Sequence, residues 1–306
     1  IVCPKSVISV WESEIRKHTF LSYTTLIGSL ESKVKLLASN TSLFLISYDS
    51  IPGRKQTLGV LFHFLLAKHF GMVVLDEITH VKNFNAIRTR AVTLLCNKVN
   101  KVLALSGTPI TNSLESVITI YNCVDGGETF GRNYFAARNH FFINHGYGFP
   151  DWRLRKDKEE EFKKRLYFNA VRLLKSECLD LPPKIFMERR TEIIGSQNII
   201  YHKIAKELLR ELRLPEGIVR IKNSLVKMAK LSQLSSGFLY TDNEPQLFPN
   251  NPKLELLKEV IAEIPQDDKI IIYCKWTQDV KNITKFLNED NIKHAVLSGS
   301  AKNRQI

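Results

Sequence analysis

The sequence predicts an α/β protein: a parallel sheet covered by helices, then a mainly helical stretch, then the start of a second α/β lobe. Three observations carry this. Residues 1–125 alternate short apolar runs with amphipathic segments; from Gly126 onward strand periodicity gives way to aromatic and charged helical segments; near Lys269 the strand-and-helix rhythm returns.

In order, apolar runs predict strands at 1–3, 23–27, 43–47, 72–75 and 101–105. Between them Val7, Val10, Trp11 and Ile15 share one helical face, as do Leu58, Leu61, Phe62, Leu65 and Leu66. Gly126-Gly127 then precedes an aromatic stretch (Phe130, Tyr134, Phe135, Phe141, Phe142) and Pro150-Asp151-Trp152. A charged helix is expected over 157–178, ending before Leu181-Pro182-Pro183, with a short strand at 185–193 and helices at 197–212 and 219–235. Residues 245–252 read as a linker, followed by a helix at 254–264, a strand at 269–273, a helix at 280–287 and a strand at 295–297. The expected division is therefore 1–125, 126–250 and 251–306. The opening Ile1-Val2-Cys3 looks like the middle of a buried strand and has no initiator Met, which is expected of a piece of a longer protein.

The chain has 306 residues, 44% hydrophobic and 25% charged, which excludes collagen-like, disordered and disulfide-scaffold classes. Its five cysteines (Cys3, Cys96, Cys123, Cys178, Cys274) are scattered, with no C-x-x-C pair and no nearby His, so reduced thiols are expected. No apolar stretch approaches the roughly 18–20 residues that span a bilayer, and no secretory leader is visible. The expected location is intracellular: cytoplasmic if the source is bacterial or viral, nuclear if eukaryotic. The net charge of +13 is concentrated, because residues 51–100 carry 7 basic and 2 acidic groups and residues 151–230 carry 20 and 12, while the rest sums to zero. Clustered cationic surface suits a polyanion, though a solvated helix face explains the same count.

Two strand ends carry candidate chemistry. In an open parallel sheet ligands bind at the carboxyl ends of the strands. After the run Met72-Val73-Val74-Leu75 come Asp76 and Glu77, a pair suited to a nucleotide hydrolase in which Asp holds Mg²⁺ and Glu orients or deprotonates water. After Leu105 comes the hydroxyl-bearing turn Ser106-Gly107-Thr108-Pro109. Either alone could be an ordinary helix start or turn.

In order along the chain the segments resemble a known family. Ile1-Val2-Cys3-Pro4-Lys5-Ser6 with Trp11, Leu75-Asp76-Glu77 with Lys82-Asn83, and the run from Leu105 to Leu114 resemble motifs Ia, II and III of the Swi/Snf-type helicase-like ATPases of superfamily 2, of the DEAD/DEAH-like kind. Residues 172–184 (RLLKSECLDLPPK) are similar to the family's basic helix and Leu-Pro-Pro-Lys turn, and Leu231-Ser232-Gln233 to its Leu-Arg-Gln helix. Asn251-Pro252-Lys253-Leu254, residues 270–278 (IIIYCKWTQ), and Leu297-Ser298-Gly299-Ser300 with Arg304 resemble the bridge, motif IV and the element after it.

The resemblance implies a RecA-like first lobe with a helical insertion and the start of a second RecA-like lobe. It also implies ATP and Mg²⁺ as cofactors and double-stranded DNA, held by its phosphate backbone, as partner; protein partners are unknown and no membrane is expected. Asp76 would coordinate Mg²⁺ through water and Glu77 would act on the attacking water. Ser106 and Thr108 would couple nucleotide state to DNA. Pro4, Lys5 and Ser6, with Lys275, Trp276 and Arg304, would contact nucleic acid. For Trp276 a packing role is equally expected, and for Trp11 burial on a helix face is favoured.

The chain also departs from the pattern. The fourth position of the family's Asp-Glu-x-His box is Thr79, expected to substitute in coupling, with His80 next to it read as a surface residue. No G-x-x-x-x-G-K-[ST] loop occurs, and 53–57 (GRKQT) lacks its spacing. Motifs I, V and VI are thus missing, and the chain alone is expected not to hydrolyse ATP. The compact first lobe without reader domains is expected of a bacterial or viral member. The alternative is a non-catalytic DNA-binding or scaffold protein on a decayed ATPase fold; an RNA helicase of the same superfamily is disfavoured by the Pro-Pro-Lys insertion.

Overall fold

The computed structural model describes the chain except for residues 53–57, 109, 111–112, 213–217, 242–243, 266 and 298–306; for 209–212 and 218–223 the backbone alone is described. The chain divides into two compact units, Ile1–Asp180 and Leu181–Ile306.

The first unit is built on β1 (Val2–Cys3), α1 (Ile8–His18), β2 (Tyr23–Thr25), α2 (Leu30–Leu37), β3 (Leu43–Ser47), α3 (Val60–Ala67), β4 (Met72–Asp76), α4 (Ile87–Cys96), β5 (Lys101–Leu105) and α5 (Ser116–Val124). The strands form one parallel sheet in the order β2-β3-β1-β4-β5. Val2 stands opposite both Ile46 and Leu75, so the shortest strand is the hinge of the register. Leu45 and Leu75 are completely buried, each worth roughly 1.5–3 kcal/mol of transfer free energy. Helices α3 (Leu61, Phe62, Leu65), α4 (Ala91, Val92, Leu95) and α5 (Ile120, Cys123) supply the rest of this core. Local signals set the helix ends: the Ser29 hydroxyl accepts from the Ser32 amide to start α2, and Arg16, Lys17 and His18 meet the negative end of α1.

Helix α5 is buried on both sides. Its Val117, Ile118 and Tyr121 face a second cluster made with Phe130, Ala137, Phe141, Phe142 and Phe162. These come from α6 (Tyr134–Phe141), β6 (Phe142–Asn144), β7 (Trp152–Leu154) and α7 (Glu159–Leu166) and from the turn before them. That turn is fastened by Asp125, whose carboxylate accepts from the amides of Gly127 and Thr129. Gly127 has φ +86° and lies so close to the Arg132 backbone that no side chain fits. A single helical turn, α8 (Lys175–Cys178), closes the unit.

The second unit contains α9 (Ser196–Leu212), α10 (Ile218–Leu234), β8 (Phe238–Leu239), β9 (Gln246–Leu247), α11 (Pro252–Glu263) and α12 (Thr277–Glu289). Helix α11 starts on Asn251, whose side chain accepts from the Leu254 amide, with Pro252 in the first turn.

Several expectations are corrected. The helix expected over 157–178 stops at Leu166, because beyond it Phe168, Val171 and Leu173 are exposed and pack on nothing that would repay helix formation. Residues 185–193 form no strand; Ile185, Phe186 and Met187 are exposed. The strands expected at 269–273 and 295–297 are also absent: Ile271, Tyr273 and Leu297 lie exposed, with no ladder partner among the described residues. Apolar alternation makes a strand only where a neighbour completes the hydrogen bonds. Conversely, the stretch after Gly126 contains a hairpin, β6 pairing antiparallel with β7. The expected linker 245–252 holds β9, paired with β8, and the cap of α11.

Candidate functional site

Parallel pairing fixes where the predicted residues meet. In the β4–β5 ladder Asp76 stands opposite Leu105, and in the β1–β4 ladder Val2 stands opposite Leu75. The carboxyl ends of β1, β4 and β5 therefore lie side by side, and they release Pro4-Lys5-Ser6, Asp76-Glu77 and Ser106-Gly107-Thr108 at one edge of the sheet. Lys5 and Ser6 are exposed in a 3₁₀ turn (Lys5–Val7) leading into α1.

The strand stops abruptly after Asp76. Glu77 adopts φ +54° and ψ +58°, the left-handed region, which costs a residue with a Cβ roughly 1–2 kcal/mol. A 3₁₀ turn (Ile78–Val81) follows, anchored by buried Ile78 and Val81. Such a backbone is kept only where the surroundings enforce it, and here it breaks the alternation of side chains at two consecutive carboxylates. The Thr79 hydroxyl donates to Glu77 Oε1 at 3.5 Å, the outer limit of a hydrogen bond.

Asp76 is held from another element. The indole Nε1–H of Trp11, on α1, donates to Asp76 Oδ2 at 2.8 Å. For Trp11 burial on a helix face was favoured; it is partly buried and also serves as a donor, since a buried indole N–H seeks an acceptor. The charge of Asp76 is also felt by two buried groups. Burial pushes the Cys3 thiol up to about 11, and the charge of Asp76 adds to the shift. Burial pushes the Tyr48 hydroxyl up as well, again with Asp76 contributing. Tyr48 is buried, its hydroxyl has no hydrogen-bond partner among the described residues, and its ring stacks on exposed His80 at 5.1 Å. The sequence reading missed Tyr48 because nothing local distinguishes it from a core aromatic. After β5 the Thr108 amide donates to Ser106 Oγ at 3.2 Å, closing the hydroxyl turn on itself. A cleft of about 860 Å³ elsewhere in this unit, between α4 and α5, takes in none of these residues.

In the second unit Lys275 and Trp276 line a cleft of about 380 Å³ with Ser232, Lys253 and Asp279. Trp276 caps α12, donates Nε1–H to Ser232 Oγ at 3.3 Å and meets Phe238 and Tyr240 edge-on. Exposed Lys275 sits with its ammonium 5.1 Å from the Trp276 ring. Trp276 thus packs against these residues while staying partly exposed. Arg304, Pro109, Ser298 to Ser300 and the 53–57 segment lie outside the described residues.

The chemistry of the strand-end set suits Mg²⁺. No group of three or more His, Cys, Asp or Glu that could cage a metal occurs among the described residues. Mg²⁺ does not need one, since it keeps most of its water and takes one or two carboxylates. Among the described residues no helix is long and apolar enough to cross a membrane.

Comparison with known proteins gives the family. The model of the SNF2-related domain matches residues 1–254. Protein p41 of Acyrthosiphon pisum secondary endosymbiont phage 1 is 26% identical over 90% of this chain and 61% of its own. An uncharacterized ATP-dependent helicase of Mycoplasma genitalium is 25% identical over 99% of this chain and 28% of its own. The SWI2/SNF2 ATPase core of Sulfolobus solfataricus in complex with dsDNA aligns with 95% of this chain and 58% of its own at 22% identity and a TM-score of 0.47. The chain spans less than two thirds of the length of these relatives. With its five-stranded parallel sheet, its strand-end carboxylates and a family match over most of its length, the chain belongs to the SNF2-related domain family of superfamily 2 helicase-like ATPases, its first unit a RecA-like lobe.

Proposed function

We propose that the complete protein is an ATP-driven translocase or remodeller on double-stranded DNA, and that these 306 residues contribute its hydrolytic carboxylates and part of its DNA track. The observation that supports this best is the convergence of Asp76-Glu77, Ser106–Thr108 and Lys5–Ser6 at one edge of the parallel sheet. Phosphoryl transfer demands charge neutralisation and positioning rather than covalent chemistry from the protein. Asp76 would hold Mg²⁺, which when bound neutralises charge developing on the transferred phosphoryl group. Glu77 takes the proton of the attacking water or orients it. Thr79 stands where the family's box has histidine, and its hydroxyl reaches Glu77, so it can report on the state of that carboxylate as the histidine would. Ser106 and Thr108 share the sheet edge and couple nucleotide state to the DNA track.

Pro4, Lys5 and Ser6 track the duplex backbone from the first unit; Lys275, Trp276 and Arg304 contribute from the second. Backbone contacts give affinity without sequence preference, which is what movement along DNA requires. The motif I loop is absent from these 306 residues, so the isolated chain is not expected to turn over ATP.

The test is ATP hydrolysis by the complete protein with duplex DNA, single-stranded DNA or RNA as the stimulating polymer. Stimulation by duplex well above the other two is expected. Preferential stimulation by RNA would replace the reading with an RNA helicase, and absence of hydrolysis with retained DNA binding would replace it with a non-catalytic scaffold.

A further inference from the structure

We propose that Trp11 is a positioning residue for the Asp76 carboxylate, fixing one of its oxygens with a neutral donor so that the full negative charge remains for a divalent cation. The proposal rests on the reading of Asp76 as the metal-binding carboxylate.

The contact joins residues 65 positions apart and is made across the sheet edge, from α1 to the end of β4. Its geometry is that of a strong N–H···O bond, at 2.8 Å. Helix α1 is in no position to rotate away. Ile15, one turn after Trp11, is buried against the core, and Glu12, the next residue, accepts from the Thr25 hydroxyl of β2. Thr19 ends the helix with its hydroxyl on the Ile15 carbonyl at 2.8 Å. The indole is thus presented from a helix secured at its sides and end.

The identity of the donor matters. A tryptophan N–H can only donate, and it carries no charge. It orients Asp76 Oδ2 without the cation that lysine or arginine would bring, and a cation there would compete with the metal. Groups that orient a metal's carboxylate from behind are typically worth about 10- to 100-fold in metal affinity. A residue that merely filled space on α1 would affect stability and leave metal dependence alone.

The experiment uses the complete protein with Trp11→Phe, which keeps an aromatic ring on the helix and deletes the N–H. The Mg²⁺ concentration giving half-maximal ATP hydrolysis should rise about tenfold or more, kcat should recover at saturating Mg²⁺, and the KM for ATP measured there should change less than twofold. An independent readout is the ¹⁵N-labelled indole resonance of Trp11, identified by its disappearance in Trp11→Phe. In the wild type it should move on addition of Mg²⁺ with a non-hydrolysable ATP analogue, and it should also move in Asp76→Asn. An unchanged Mg²⁺ requirement in an active Trp11→Phe enzyme would overturn the proposal while leaving the proposed function standing. Should Trp11→Phe fail to fold, an indole resonance indifferent to both Mg²⁺ and Asp76→Asn would overturn it instead. A wild type that hydrolyses no ATP would remove the proposed function and this proposal with it.

Discussion

Glu77 holds two properties in one residue: a carboxylate at the end of the central strand β4 and a left-handed backbone. Those properties can be separated. Asparagine tolerates the left-handed region through local hydrogen bonds of its side chain, whereas a β-branched residue does not. Glu77→Asn should therefore unfold at a denaturant concentration equal to or above that of wild type, and Glu77→Val should lose about 1–2 kcal/mol relative to Glu77→Asn. Equal stabilities for the two variants would show that the backbone at this position relaxes without cost. Neither the left-handed backbone nor the Trp11 contact could be read from the sequence. The strand-end carboxylates were legible because an apolar run followed by Asp-Glu is a local pattern. The indole donor was not, because Trp11 and Asp76 are brought together by the order of strands in the sheet.

At the scale of elements, α7 shows what a charged helix is doing. Glu161 receives Lys158 at 3.0 Å, His140 at 3.3 Å and Arg165 at 2.8 Å. Lys158 above all, with His140 and Arg165, holds the Glu161 carboxyl at about 2, well below its ordinary value. A depressed carboxyl stabilises the fold fully above its unfolded value and loses that contribution as pH falls toward the folded value. The stability difference between wild type and Glu161→Gln should therefore be present at pH 7 and shrink steadily from about pH 4 toward pH 2. A difference that grew on acidification would contradict the assignment. Phe162, one residue on, is buried against Phe130, Phe141 and Phe142, so the same short helix carries an ion network on one side and aromatic packing on the other. The aromatic stretch from Phe130 to Phe142 was visible in the sequence, but its hairpin was not. β6 and β7 are three residues each, too short for an alternation signal, and the turn between them is held by Asn144, whose side-chain oxygen accepts from the amides of Gly146 and Asp151.

At the scale of the molecule, strands 43–47 and 101–105 appeared with the predicted bounds because each is an apolar run with a partner inside the described chain. The runs at 269–273 and 295–297 are likewise apolar yet form no sheet among the described residues, so pairing, and not hydropathy alone, makes a strand. The family match across residues 1–254 and the converging ends of β1, β4 and β5 together make the hydrolytic assignment of Asp76 and Glu77 the claim on which the rest depends. The most direct measurement is DNA-stimulated ATP hydrolysis by the complete protein with Glu77→Gln, alongside its binding of ATP and duplex DNA. Removing a general base typically costs about 10²- to 10⁴-fold in rate. Retained binding of both ligands and a turnover reduced by at least about 100-fold are expected; wild-type turnover in that variant would contradict the assignment of Glu77.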